Sequence, residues 1–219
     1  MRWVLGVVTC AALTGCGASN DSTNKDANPA AGPDTKSGSG AVAAGPPPTD
    51  ETLLLQTPPA WLEVTAQQSD SFRLAEFIPV GQDKERWFDK LFIESNNLEP
   101  LPDPIVFLEA MGRELKTECE GTSDANVHSG LENGYETSVR LLVCNKNLNS
   151  ARGEVTLIKA IRGKDNFYVI SRARRSEPLR TDAPPMSEQE MGEWSLYMRS
   201  IKLCDPRDNA HPCPVPASS

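Results

Sequence analysis

The chain has 219 residues, and its 22 Lys and Arg face 30 Asp and Glu, a formal net charge of −8. General nucleic-acid binding draws its affinity largely from cationic contacts to phosphate, so this balance argues against it. It argues equally against a polybasic attachment to anionic lipid.

At the N-terminus, Arg2 precedes an uncharged apolar run from Trp3 to Leu13. A basic start, an apolar stretch of about 7–15 residues and small residues at a cut site are the layout of a secretory signal peptide. A spanning helix needs about 20 mostly apolar residues. This run is too short, and Thr9, Thr14, Gly15 and Gly17 weaken it further. Leu13-Thr14-Gly15-Cys16 resembles the lipobox of bacterial lipoproteins. The resemblance implies a signal peptide over residues 1–15, cleaved before Cys16, and lipids carried by Cys16. In that family the residues after the cysteine influence sorting. Gly17 and Ala18 differ from the aspartate-type retention signal of the inner membrane. The resemblance therefore implies an outer-membrane anchor, facing the periplasm.

No aromatic residue occurs between Trp3 and Trp61, and residues 17–60 are mostly small or polar. Such a segment cannot offset the entropy cost of ordering. Residues 16–57 are therefore predicted to be a lipid-anchored flexible linker. Its Gly/Ser part, Ser37-Gly38-Ser39-Gly40, reads as coil, and Pro46-Pro47-Pro48 as a stiffer spacer. Leu53-Leu54-Leu55 is the exception. It is expected to pack on the edge of the folded domain or, alternatively, to act as a short binding segment.

Residues 58–204 are of a size for one domain. Trp61 to Ala66 and Phe72 to Ile78 read as strands, the second with Phe72, Leu74 and Ile78 on one face. Asp83 reads as the N-cap of a helix to about Ser95, with Trp87 and Leu91 on its buried stripe. A second helix starts at Asp103-Pro104, and Leu108, Met111, Leu115 and Cys119 recur along its inner side. From Val127 the pattern changes to strands. Asn133-Gly134 is a two-residue hairpin signal, after which Tyr135, Thr137, Val139, Leu141 and Val143 alternate on one face. Val155, Leu157 and Ile161 mark the next strand, and Gly163 to Asn166 turns the chain into Phe167 to Arg174. Ser187-Glu188-Gln189-Glu190 is a capping-box sequence that opens a third helix, ending near Cys204, with Met191, Trp194, Met198 and Ile201 inside. The prediction is an α+β domain: an antiparallel meander covered by about three helices.

Of six cysteines, Cys10 goes with the signal peptide and Cys16 with the anchor. Cys119, Cys144, Cys204 and Cys213 remain, an even number in an exported chain, where disulfides are the expected state. Three pairings are open. Cys119–Cys144 with Cys204–Cys213 is favoured, because the second closes a short loop and pins the tail over residues 205–219. A metal site of His211 with Cys204 and Cys213 is the rival, but His211-Pro212-Cys213 is not a standard zinc spacing.

The order of elements resembles the PsbP-like sandwich fold. Phe77-Ile78-Pro79, Trp87, Cys119, Cys144, the Tyr168 strand and Cys204-Asp205 give the domain a similarity to uncharacterised proteobacterial lipoproteins. That resemblance implies no activity.

No nucleophile elbow, phosphate loop or dinucleotide fingerprint is present. His128, beside Ser129, reads as an exposed histidine near a turn. Arg172, Arg174 and Arg175, with Arg180 beyond them, form a local basic cluster after Tyr168 and Ile170. It suits an anionic partner, or else salt bridges to neighbouring acids. The expected function is a non-enzymatic, lipid-anchored envelope protein with a disulfide-stabilised interaction domain. Its expected contacts are the membrane, through the lipid on Cys16, and an envelope protein, with no cofactor, no metal and no nucleic acid. A periplasmic inhibitor or immunity lipoprotein is the alternative, and an enzyme acting on wall or lipid comes last.

Overall fold

The computed structural model describes residues 50–180 and 185–214. The expected signal peptide, Cys16 and the linker up to residue 49 lie outside the described residues, as do residues 181–184 and 215–219. In chain order come β1 (Thr52–Leu54), β2 (Trp61–Gln68), β3 (Phe72–Pro79), β4 (Asp89–Asn96), α1 (Pro104–Glu118), β5 (Cys119–Glu132), β6 (Tyr135–Asn147), β7 (Gly153–Arg162), β8 (Phe167–Ser176), α2 (Glu188–Ser200) and β9 (Lys202–Cys204). Seven strands make one sheet in the order β2-β3-β4-β8-β7-β6-β5, and β1 pairs with β9 apart from it. Every pairing is antiparallel. The sheet is two meanders joined along one seam, β4 against β8.

The local rules explain the elements. Asn133 (φ 49°) and Gly134 (φ 82°) supply the left-handed pair that a two-residue hairpin turn requires. A side chain at position 134 would also strike the His211 ring, 2.6 Å from where its Cβ would sit. The Asp103 carboxylate accepts from the Ile105 and Val106 amides, and Pro104 opens α1 without needing a donor. Ser187 and Glu190 close a reciprocal capping box on α2.

Helices cover both faces of the sheet. On one, Trp194, Met198 and Ile201 pack with Leu91, Leu157 and Ile170. On the other, the Phe107 ring of α1 meets Phe167 of β8 edge-on, centroids 4.9 Å apart. A sheet covered twice needs strands with little alternation. β7 accordingly buries Leu157, Ile158, Ala160 and Ile161 in near succession. Lys159 is buried among them with no exposed surface. Its ammonium donates to the Glu132 carboxylate (2.6 Å) and to the carbonyls of Met198 and Ile201 (both 2.9 Å). It thus occupies the negative end of α2, where backbone carbonyls lack amide partners. Burial pushes this ammonium below the usual lysine range, against the pull of Glu132.

Four expectations need correction. The fold has two helices among the described residues, not three. The segment predicted as a helix from Asp83 to Ser95 is a turn followed by β4. Asp83 does accept from a nearby amide, that of Glu85, but only in the turn. β4 pairs with β3 and β8, and its Leu91 lies four positions after Trp87, which precedes the strand, so the two mimic helical spacing. The last helix stops at Ser200, and Lys202–Cys204 is β9. Cys119 caps α1 and begins β5 rather than sitting inside the helix. Leu53-Leu54-Leu55 packs on the folded domain, the first of its two expected roles: Thr52–Leu54 is a strand, and Leu53 and Leu55 lie against the core.

Both expected disulfides are present, Cys119–Cys144 and Cys204–Cys213. Cys204 and Cys213 are bonded to each other, and the His211 ring stacks on Tyr135 at 4.0 Å, which removes the rival metal site.

Candidate functional site

Residues 50–56 form a strap across the face of the sheet that carries α2. β1 pairs with β9, placing Thr52 opposite Cys204. The Glu51 carboxylate accepts from the Lys164 amide (2.6 Å) and the Tyr168 hydroxyl (3.0 Å). Position 163 must be glycine for this approach, because a Cβ there would collide with the Glu51 carboxylate. At its far end, the carbonyl of Gln56 accepts from the Tyr197 hydroxyl (2.9 Å).

The C-terminal loop holds the strap from the other side. Arg207 places Nε and Nη2 on the buried Asp205 carboxylate, each at 2.8 Å, and also reaches Asp165 (3.1 Å) and Asp50 (3.3 Å). Lys164 pairs with Asp208. Asn133 donates to the carbonyls of Leu203 and Pro212, so the β5–β6 hairpin fixes the same loop.

Between the strap and the β2–β3 hairpin lies an open groove of about 1100 Å³. Its floor includes Ala66 and Ala75, which face each other across β2 and β3, with Ser95 on β4 beside them. These small side chains leave unfilled the space that Leu and Trp fill elsewhere on this face. Tyr168 and Arg207 stand at the strap end, and Gln67, Gln68 and Arg73 at the hairpin end. Asp50, Glu51, Asp70 and Asp165 outnumber Arg73 and Arg207 along the lining, and three carboxylates already engage Arg207. The groove is therefore polar with an acidic excess. It borders β2, which as an edge strand pairs only with β3.

Two carboxylates, one in the C-terminal loop and one at the start of α2, sit well below their usual range. Hydrogen bonds from the Arg207 side chain hold Asp205 at about 2, against an ordinary 3.8. The Arg174 guanidinium, with Ser187, holds Glu190 at about 2, against 4.5. A depressed folded-state value contributes stability above the unfolded value and loses it as pH falls toward the folded one. Both contacts should thus persist down to about pH 4 and disappear as the pH approaches 2. Carboxyl-carbon NMR titration is expected to give both midpoints near 2, with Arg207→Gln returning Asp205 toward 3.8. A wild-type Asp205 midpoint near 4 would contradict this assignment.

The sequence-predicted residues are placed as follows. Arg172 and Arg174 share the α2 face of β8, but Arg175 is on the reverse, so the three do not make one patch. Arg174 pairs with Asp89 (3.0 Å) and with Glu190. Arg175 pairs with Glu154 (2.9 Å) and lies 3.9 Å from the Trp87 ring centroid. Arg172 lies among the rings of Trp61, Trp194 and Tyr197. His128 is half-exposed and 3.6 Å from Glu132, whereas Ser129 bonds Asn126 and Ser138. These neighbours are thus engaged separately. Ala66, Ala75, Glu51 and Arg207 carried no signal in the sequence that tied them to one site.

No family model matches the chain, and no curated protein matches its sequence. Among solved structures, the fold is similar to LpqN of Mycobacterium tuberculosis, described as involved in cell envelope biogenesis. That match has 11% identity and a TM-score of 0.42, covering 71% of this chain and 85% of LpqN. It is also similar to the Ran-binding protein Mog1p of Saccharomyces cerevisiae, with 11% identity and a TM-score of 0.36, covering 69% of this chain and 91% of that one. A point mutant of Mog1 gives 12% identity and a TM-score of 0.36, covering 68% of this chain and 84% of the other.

Proposed function

We propose that this chain is a lipid-anchored cell-envelope protein whose disulfide-stapled domain binds a partner protein rather than catalysing a reaction. The observation that carries this reading is the groove between the strap and the β2–β3 hairpin. It is open, polar and bordered by an edge strand, a setting in which an extended segment is gripped by backbone and side-chain hydrogen bonds. Its acidic excess favours a partner segment carrying Lys or Arg. The two disulfides suit an oxidising compartment. Cys16, at the outer membrane, supplies the attachment in this reading, with the linker ahead of the strap as the spacer.

One experiment tests both parts. Cells expressing wild type, Cys16→Ser or Ala75→Trp are labelled with radioactive palmitate and then crosslinked. Wild type should carry label and capture a defined envelope protein. Cys16→Ser should lose the label. Ala75→Trp should keep it and lose capture by about tenfold or more, because the indole fills the groove floor. Label persisting on Cys16→Ser sinks the anchor, and undiminished capture by Ala75→Trp sinks the groove.

A further inference from the structure

Arg172 differs from the other basic residues of β8. Its guanidinium carbon lies 4.9 Å from the ring centroid of Trp194 and 5.7 Å from those of Trp61 and Tyr197. Arg174 and Arg175 each hold a carboxylate. Arg172 has no ion pair with any described residue, and its Nε–H is buried without an acceptor. Native structures leave few buried donors unsatisfied, and those that remain call for a reason. A cation held in this way is costly, because ring faces attract it but accept no hydrogen bond in the plane of the fork.

Besides the rings, Asp89 and Glu193 attract the guanidinium through space without reaching ion-pair distance, and Arg174 repels it. Trp194 is buried and forms the rear wall, while Arg172, Trp61 and Tyr197 are only partly buried. The fork of an arginine matches a carboxylate or phosphate with two parallel N–H bonds. The flanking rings offer flat apolar surface to whatever carries that group. Arg172 does not line the groove, so this site is separate from the one proposed above.

We propose that Arg172, with Trp61, Trp194 and Tyr197, forms a binding site for an oxyanion, a carboxylate or phosphate, on a ligand whose apolar body lies against the rings. The anion accepts from the two Nη groups, which are not sealed from solvent as Nε is, and the rings select against small, fully hydrated anions.

Tryptophan fluorescence of the oxidised full-length protein reads it directly, since two of the three rings are indoles. Benzoate and phenyl phosphate should each give a saturable change, and the tighter of the two identifies the preferred oxyanion. Acetate and inorganic phosphate should bind at least tenfold more weakly, and benzylamine should not bind. Arg172→Gln should weaken the tighter probe at least tenfold and Arg172→Lys by several-fold, with Arg175→Gln as the unaffected control on the opposite face. Equal binding by wild type and Arg172→Gln, or no saturable change in wild type, overturns the proposal. The Arg172 Nε–H resonance of wild type provides a readout that needs no variant. It should shift on addition of the tighter probe, and an unmoved resonance also overturns the site.

Discussion

Replacing Lys159 by methionine should destabilise the domain by about 3–5 kcal/mol, the cost of removing one partner of a buried ion pair. The methionine fills most of the lysine stem's volume, so packing loss is minor and the effect is electrostatic. Two groups lose their donor: the Glu132 carboxylate and the paired carbonyls of Met198 and Ile201 at the end of α2. Lys202, 3.4 Å from Glu132, compensates only in part, because it is exposed. The double variant Lys159→Met/Glu132→Leu should recover more than half of the loss, since an apolar pair often replaces a buried ion pair at little cost. Urea unfolding measures both. A single-variant loss under about 1 kcal/mol would show that Lys159 is a bystander.

The disulfides should rank in the order of the loops they close. Cys119–Cys144 spans 25 positions and Cys204–Cys213 spans 9. The chain-entropy relation gives about 3.5 kcal/mol for the first and about 2.6 kcal/mol for the second. Cys119→Ser/Cys144→Ser should therefore lower the unfolding midpoint further than Cys204→Ser/Cys213→Ser. The shorter bridge should matter more locally, because Cys204 ends β9 and β9 holds β1. Its loss should raise amide exchange in the strap while leaving the centre of the sheet protected. A larger global loss from the shorter bridge would contradict this ranking.

What the sequence made legible was local chemistry. The Asp103-Pro104 start of α1, the capping box of Ser187 and the Asn133-Gly134 turn each need only a few adjacent residues. The β4 segment reads as a helix because Trp87, in the preceding turn, and Leu91, in the strand, stand four positions apart, and because Leu91, Phe92 and Ile93 run together without alternation. The cysteine pairing was legible because few partners existed. The groove was not, since it depends on contacts such as Glu51 with Tyr168, 117 positions apart. The basic cluster after Ile170 was visible as composition, but its division into two paired arginines and one caged arginine is a property of the folded sheet. Lys159 interrupts an apolar strand in the sequence with nothing local to account for it, and only the position of α2 explains it.

The seam between β4 and β8 also sets an order of assembly. Asp89 and Arg174 meet across it from 85 positions apart, whereas the β7–β8 hairpin closes over four residues and the β3–β4 hairpin over nine. Loop-closure entropy favours the hairpins first and the seam last. Until it closes, β4 and β8 are both bare edges with apolar residues on two sides, the form in which sheets recruit a neighbouring chain. The interval of greatest aggregation risk thus falls just before the final pairing. Arg174, which grips Asp89 on one strand and Glu190 on the last helix, acts as a latch that ends it.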